Sequence, residues 1–196
     1  MRTPKIEALH RCINWLNVKI NYNIPLLNLD KSPLGNSSWL SGILEADCSF
    51  YFNYKLNEKI IPVGILYYLR LSQKQSYDHR TVAPKYDISN KSFMQLIADF
   101  LSAELITIEK DRKYYIEKAY EVRTHRLAYN TKLLNYFNDF PLFGYKYFTL
   151  INIAKIHNLI INKKHKLEEG KKEFIEYTKY LKYDNKIHTP LWGGSI

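Results

Sequence analysis

The spacing of apolar residues predicts two helices in the first fifty positions. The first begins after Pro4, and its apolar face comprises Ile6, Leu9, Ile13, Leu16 and Ile20. Residues 21–36 carry two prolines and a glycine, which is typical of an irregular connector. A second apolar helix follows from Trp39 and ends at Asp47, after which the residues alternate with the period of a strand.

The end of this second helix has an unusual charge. Glu45 and Asp47 lie in its last turn, where the helix dipole is negative and repels carboxylates. Two acids in this position oppose the stability of the helix, so a chemical reason for their presence is expected.

The rest of the pattern predicts an α+β fold. One strand reaches Lys55, a second runs from Ile60 to about Lys74, and a helix follows with an inward face of Phe93, Leu96, Ile97 and Phe100. A second hairpin turning at residues 110–112 and three further helices complete the chain. Helix, two strands, helix, two strands is an α+β arrangement.

Polar and aromatic side chains share one face of the first two strands. By alternation, that face carries Ser49, Tyr51, Asn53, Lys55, Tyr68 and Arg70. Arginine and asparagine recognise base edges in the major groove of DNA, and an antiparallel sheet can enter that groove. The same alternation is also typical of a sheet with one solvated face.

The net charge favours a polyanionic partner. The chain has 29 Lys and Arg residues against 19 Asp and Glu residues, a formal charge of +10. Nucleic acid is a better candidate than a membrane, because no apolar run approaches the roughly 18 residues that span a bilayer. A basic protein without such a partner is the alternative. Cys12, Cys48 and the six histidines show no zinc-binding spacing.

The segment WLSGILEADCSF resembles the signature motif of the LAGLIDADG homing endonucleases. Its nine positions are occupied in order by Leu40, Ser41, Gly42, Ile43, Leu44, Glu45, Ala46, Asp47 and Cys48. Ser41 replaces the motif's first alanine and Glu45 its first aspartate. Cys48 replaces the final glycine, a change expected to affect the exit from the helix.

Two other segments resemble the same family. LRLSQKQS is similar to the end of the family's second strand, where a glutamine often lies near the active site, here Gln73. FPLFGYKYF is similar to the segment that supplies the family's active-site lysine, here Lys146. Considered without the motif, Gln73 is a polar residue at a strand end and Lys146 is a surface lysine.

The resemblance implies a catalytic site at the end of a helix pair. Two motif helices pack side by side in this family, and the pairing residues here would be Trp39, Leu40, Ser41, Gly42, Ile43 and Leu44. The acids then approach each other, and Mg²⁺ relieves their repulsion and contacts the scissile phosphates. Asp47 is the expected catalytic metal ligand, assisted by Gln73 and Lys146. Glu45 is assigned to packing or helix-end contacts.

One motif supplies half of such a site. The implied fold is one αββαββα repeat with a saddle-shaped antiparallel sheet and extra C-terminal helices, at residues 37–183. Residues 1–36 resemble the connector between the first and second repeats of two-motif members encoded by fungal mitochondrial introns, and residues 184–196 form a tail. The other repeat would be a second copy of this chain or a separate first half; otherwise the chain is a remnant.

Three functions fit these expectations. The first is a metal-dependent, site-specific endonuclease for double-stranded DNA, located in the mitochondrion. The second is an intron RNA maturase, a role that some members of the family take. The third is a nucleic-acid-binding remnant that does not cleave. Fold and charge suit all three.

Overall fold

The computed structural model describes residues 1–76 and 89–184, with side chains up to Leu181. The helices are α1 (Ile6–Lys19), α2 (Trp39–Asp47), α3 (Lys91–Leu101), α4 (Leu127–Asp139), α5 (Tyr145–Ile161) and α6 (Glu168–Asp184). The strands are β1 (Cys48–Leu56), β2 (Pro62–Lys74), β3 (Leu105–Arg112) and β4 (Tyr115–Arg123).

The four strands form one antiparallel sheet in the order β1-β2-β4-β3. The order of elements from α2 to α4 is helix, two strands, helix, two strands, helix, which confirms the predicted α+β class. The predicted tail after Asp184 lies outside the described residues. Within residues 1–76 and 89–184, no helix is long and apolar enough to cross a bilayer.

The chain forms two compact units that do not follow sequence order. The first combines Met1–Ser37 with Leu71–Arg123, and the second combines Ser38–Arg70 with Thr124–Ile196. Strand β2 therefore contributes residues to both units. The N-terminal segment shares a unit with α3, β3 and β4, and its interpretation as an inter-repeat connector stays a prediction. The interpretation of residues 37–183 as one repeat stays a prediction.

Helix α1, in the first unit, buries only part of the predicted face, because Ile6 and Ile13 are inward as predicted but Leu9 and Ile20 are not. Its buried residues are Ile6, His10 and Ile13. Leu9 and Ile20, expected inward, are 41% and 50% exposed. His10 occupies a core position because its Nε2 atom lies 2.8 Å from the carbonyl oxygen of Leu27, so the imidazole has a hydrogen-bond partner there.

In helix α3 the prediction is confirmed for Phe93 and Ile97 but not for Leu96 and Phe100. The buried residues of the helix are Phe93, Met94, Ile97, Ala98 and Leu101. Leu96 is 42% exposed, and Phe100 is only half-buried. Phe100 instead lies beside Gly35, where a Cβ atom would come within 3.3 Å of its ring. The buried face of α3 instead includes the flexible Met94, the small Ala98 and Leu101.

The β3–β4 hairpin turns later than predicted. Its antiparallel register ends with Arg112 opposite Tyr115, so the turn is made by the two residues between them and not by residues 110–112. The charged residues that suggested a turn are paired across the strands. Lys110 lies opposite Glu117 in the register, and Arg112 Nη2 lies 2.7 Å from Glu117 Oε2. Opposite charges in facing positions stabilise such a ladder.

The core of the second unit lies under β1 and β2. Its buried members are Tyr67, Ile153, Ile156, Leu159, Phe174 and Leu181. Phe50, Phe52 and Tyr54 of β1 pack against this cluster. The residues that alternate with these three are exposed at positions 51, 53 and 55, so the opposite face of β1 lies at the surface.

A chain of hydrogen bonds runs through this core. Thr131 Oγ1 donates to the carbonyl oxygen of Leu127 at 3.0 Å, so the hydroxyl oxygen accepts from His157 Nε2 at 3.0 Å. His157 Nδ1 then accepts from the Tyr67 hydroxyl at 2.5 Å, and the imidazole is the neutral Nε2–H tautomer. Burial lowers the pKa of His157 and raises that of Tyr67, so both groups are held uncharged.

Candidate active site and nucleic-acid face

The end of α2 brings one carboxylate to the surface. Leu40 and Leu44 are fully buried and anchor the helix in the second unit. Asp47 is the last helical residue and is exposed. The helix stops there because the backbone N–H of Cys48 closes the last turn on the carbonyl oxygen of Leu44 and the chain then becomes extended.

Cys48 does not obstruct the exit from α2. Its φ of −84° and ψ of 160° are ordinary extended values, which do not require glycine. Its side chain is buried, and burial raises the pKa of the thiol to about 12. The glycine of the family motif is therefore replaced here by a small buried side chain without backbone strain.

The two sides of α2 have different surroundings. The Ser41 backbone N–H donates to the Tyr136 hydroxyl at 3.1 Å, and the Ser41 hydroxyl donates to the carbonyl oxygen of Phe140. Ser41 thus faces α4 of its own chain. Gly42 is exposed, and a Cβ atom built there meets no atom within 4 Å. Ala46, one turn later, is exposed as well.

Lys146 is not a surface residue. Only 5% of it is exposed, and it lies in the first turn of α5. Its Nζ atom donates to the carbonyl oxygens of Leu44 at 3.3 Å and of Glu45 at 2.5 Å. A cation at the last carbonyls of a helix stabilises its negative end. Lys146 therefore holds the turn of α2 that ends in Asp47.

Glu45 makes the opposite connection. Its Oε2 atom accepts a hydrogen bond from the backbone N–H of Phe143 at 3.2 Å, just before α5 begins. A Cβ atom at Gly144 would lie 2.3 Å from Glu45 Oε1. The helix-end contact expected of Glu45 is confirmed, and the role of Gly144 was missed. A glycine at the N-terminus of a helix is common, so the sequence contained no sign that this one makes room for a carboxylate.

Gln73 belongs to the first unit. It is half-buried near the end of β2, on the same face as the buried Leu71. Asp47 and Lys146 belong to the second unit. Asp47 is the last residue of α2, and the ammonium group of Lys146 contacts the last turn of that helix. The joint action of Gln73 with these two residues stays a prediction.

The donor set at the end of α2 fits a shared metal site better than a complete one. Among the residues that the structure describes, no three His, Cys, Asp or Glu side chains are grouped closely enough to hold a metal ion. Asp47 contributes one exposed carboxylate. Mg²⁺ is commonly held by one or two carboxylates together with substrate phosphates and water, so a single acid is a sufficient protein contribution.

The predicted polar face of β1 and β2 has the predicted register. Arg70 Nε donates to Ser49 Oγ at 3.3 Å, and the rings of Tyr51 and Tyr68 stack with their centroids 4.8 Å apart. The exposed members of the face are Tyr51, Asn53, Lys55 and Arg70, and the half-buried ones are Ser49 and Tyr68. All six side chains therefore lie on the side opposite the aromatic core.

Comparison with known proteins gives a consistent result. A family profile described as LAGLIDADG endonuclease matches residues 40–157. The intron-encoded DNA endonuclease aI3 of Saccharomyces cerevisiae is 27% identical over 185 residues, covering 83% of this chain and 44% of that protein. The probable intron-encoded endonuclease 4 of Neurospora crassa is 30% identical over 175 residues, covering 87% of this chain and 28% of that protein. This chain spans less than half the length of these curated relatives.

The solved structures show the same fold. The homing endonuclease I-TnaI superposes with a TM-score of 0.52 at 17% identity, over 76% of this chain and 86% of that one. The profile match includes the motif helix, the four strands and α5 as far as His157, and so contains Lys146. On this evidence, the chain belongs to the LAGLIDADG endonuclease family.

Proposed function

We propose that this chain is one repeat of a site-specific endonuclease that hydrolyses phosphodiester bonds in double-stranded DNA with the help of a divalent cation. The observation that carries the proposal is the place of Asp47. It is an exposed carboxylate at the negative end of α2, in a turn held by the buried Lys146. This position costs helix stability but suits a cation ligand.

The residues at the end of α2 have separate roles in this proposal. Asp47 would hold the cation, Mg²⁺ in our proposal, together with phosphates of the DNA. Such a cation supplies charge stabilisation at the scissile phosphate and at the departing oxygen. Lys146 keeps the last turn of α2 intact and adds positive charge behind Asp47. Gln73 would order solvent near the reacting phosphate.

The polar face of β1 and β2 would bind the DNA. Arg70, Asn53 and Lys55 offer donors that suit base edges and phosphates. The stacked rings of Tyr51 and Tyr68 lie on the same face. A net charge of +10 supports electrostatic binding to several phosphates of a nucleic acid.

A second motif helix must complete the site, because each repeat provides one such acid. The pairing face predicted from the motif included Leu40, Ser41 and Leu44, which the chain buries against itself. We propose that pairing uses the other side of α2, whose members are Trp39, Gly42, Ile43 and Ala46. The partner is either a second copy of this chain or a separate first repeat. The names of the two relatives support the part of the proposal that an intron encodes this chain, and we propose a mitochondrial location with it.

The test separates cleavage from binding. Duplexes that bind the chain are recovered from a pool with randomised central sequence, and their cleavage is measured with Mg²⁺. Asp47→Asn should abolish cleavage and leave the affinity for DNA within about twofold, because it removes a ligand charge without altering the sheet face. Asp139→Asn is a matched control, since Asp139 is also the exposed last residue of a helix, α4.

Three results would contradict the proposal. Cleavage by Asp47→Asn at the parental rate would assign the carboxylate a structural role. Cleavage of both strands by a monomer, shown by sedimentation on DNA, would contradict the half-site. Tight binding to the intron RNA with none to duplex DNA would favour the maturase function instead.

A further inference from the structure

Two helix ends in the second unit exchange charged side chains. Helix α2 has no basic residue in its last turn, and α5 has no acidic residue in its first turn. Lys146 of α5 donates to the carbonyl oxygens of Leu44 and Glu45 at the end of α2. In return, the Glu45 carboxylate accepts from the Phe143 N–H at the start of α5. A positive charge from α5 thus lies at the negative end of α2, and a negative charge from α2 lies at the positive end of α5.

Gly144 makes this exchange possible. It is the residue before α5, and its φ of −87° and ψ of −160° are available to any residue. A Cβ atom there would meet Glu45 Oε1 at 2.3 Å, Glu45 Cδ at 3.2 Å and Glu45 Oε2 at 3.8 Å. All three nearest atoms belong to one side chain. A methyl group at this position would therefore displace the end of the flexible Glu45 side chain and break its hydrogen bond to the Phe143 N–H, whereas the backbone conformation itself would accept any residue.

We propose that Glu45, Gly144 and Lys146 form a reciprocal cap that fixes the last turn of α2 and thereby sets the position of Asp47. These three are positioning residues for the reaction proposed above, and the inference rests on that proposed function. Helix ends normally fray, and α2 has only nine residues. The reciprocal cap holds the turn by both the carbonyl oxygen and the carboxylate of Glu45, two residues before Asp47.

The exchange also explains why Lys146 is buried. Its ammonium group is directed to two backbone carbonyls, which offset the cost of removing it from water. A lysine held in this way acts on Asp47 through the helix. Loss of Glu45 or Gly144 should therefore affect the metal site even though neither contacts the cation.

A double-mutant cycle on the isolated chain tests the reciprocal cap without reference to activity. Gly144→Ala and Glu45→Ala should each lower the free energy of unfolding measured in denaturant. The double variant should be no less stable than Glu45→Ala alone, because truncation at position 45 removes all three atoms that the new methyl group would meet. Gly42→Ala, where a Cβ meets nothing within 4 Å, controls for the effect of glycine replacement on stability.

Two further measurements test whether the cap positions Asp47. Hydrogen exchange of the Cys48 amide, which closes the last turn of α2, should be faster in Gly144→Ala than in the parent. Binding of Mn²⁺ to the protein–DNA complex, followed by electron paramagnetic resonance, should weaken about 10- to 100-fold, as is usual when a group that orients a metal ligand is lost. Glu45→Gln keeps an acceptor oxygen, so its Mn²⁺ affinity should fall less than that of Glu45→Ala.

The outcomes distinguish the two proposals. Additive losses in the cycle, or unchanged exchange at Cys48, would overturn the reciprocal cap whatever the protein does. Parental Mn²⁺ affinity in Gly144→Ala would overturn the positioning role and leave the nuclease proposal intact. No Mn²⁺ binding by the parent complex, with a coupled cycle, would overturn the nuclease proposal and the positioning role, and the cap would be structural only.

Discussion

At the residue scale, the second unit contains a titratable group held in one protonation state. His157 accepts from Tyr67 and donates to Thr131, so protonation at Nδ1 would place a proton where the Tyr67 hydroxyl now donates. Burial lowers the pKa of this imidazole. The folded state therefore disfavours the charged form, whereas the unfolded chain accepts the proton at the ordinary pKa of 6.5.

The sign of the pH dependence follows from this difference. The contribution of His157 is fully present above pH 6.5, where the ring is neutral in both states, and is lost as the pH falls below it. The slope for one proton is at most about 1.4 kcal/mol per pH unit. Urea unfolding between pH 5 and 8 should show this loss, and His157→Gln should reduce the slope. A slope in His157→Gln equal to that of the parent would contradict the assignment.

At the scale of elements, the sequence predicted strands better than helix faces. Alternation along β1 identified both faces correctly, because a strand has only two sides and Phe50 and Phe52 occupy one of them. In α1 and α3, apolar residues lie on more than one side, so several faces were compatible with the pattern and Leu9 and Leu96 were placed inward wrongly. The contact of Glu45 with Phe143 joins residues 98 positions apart, which no local pattern can predict.

Helix α2 yields a prediction with opposite effects on stability and activity. Gly42→Ala should raise the free energy of unfolding of the isolated chain by about 0.5–1 kcal/mol, because the methyl group meets no neighbour and the unfolded chain loses freedom. If Gly42 allows a second motif helix to approach closely, the same change should reduce cleavage. Denaturant unfolding and cleavage of the recovered duplex measure the two effects. A stabilised variant with parental cleavage would show that α2 pairs through another side.

At the scale of the whole molecule, a charge of +10 should dominate the affinity for nucleic acid. The logarithm of the binding constant for duplex DNA should fall linearly with the logarithm of salt concentration, with a slope of about −0.9 per neutralised phosphate. Fluorescence anisotropy at several salt concentrations gives this slope. Equal affinity at low and high salt would contradict an electrostatic interface.

The sheet face should add specificity to this general attraction. Arg70→Ala should weaken binding to the recovered duplex by about 1–3 kcal/mol if the guanidinium recognises a base. Its effect on a duplex of unrelated sequence should be much smaller. Arg11→Ala removes an equal charge from an exposed position on α1, outside this face, and serves as the control. An equal loss of affinity in the two variants would show that Arg70 contributes only its net charge.

The two cysteines have a practical consequence for following these events. Cys12 is exposed and Cys48 is buried, and the raised pKa of the Cys48 thiol keeps it protonated at neutral pH. A thiol-reactive dye should therefore label α1 selectively and spare the junction between α2 and β1. The rate at which Cys48 is slowly modified under native conditions would then measure how often the junction beside Asp47 opens.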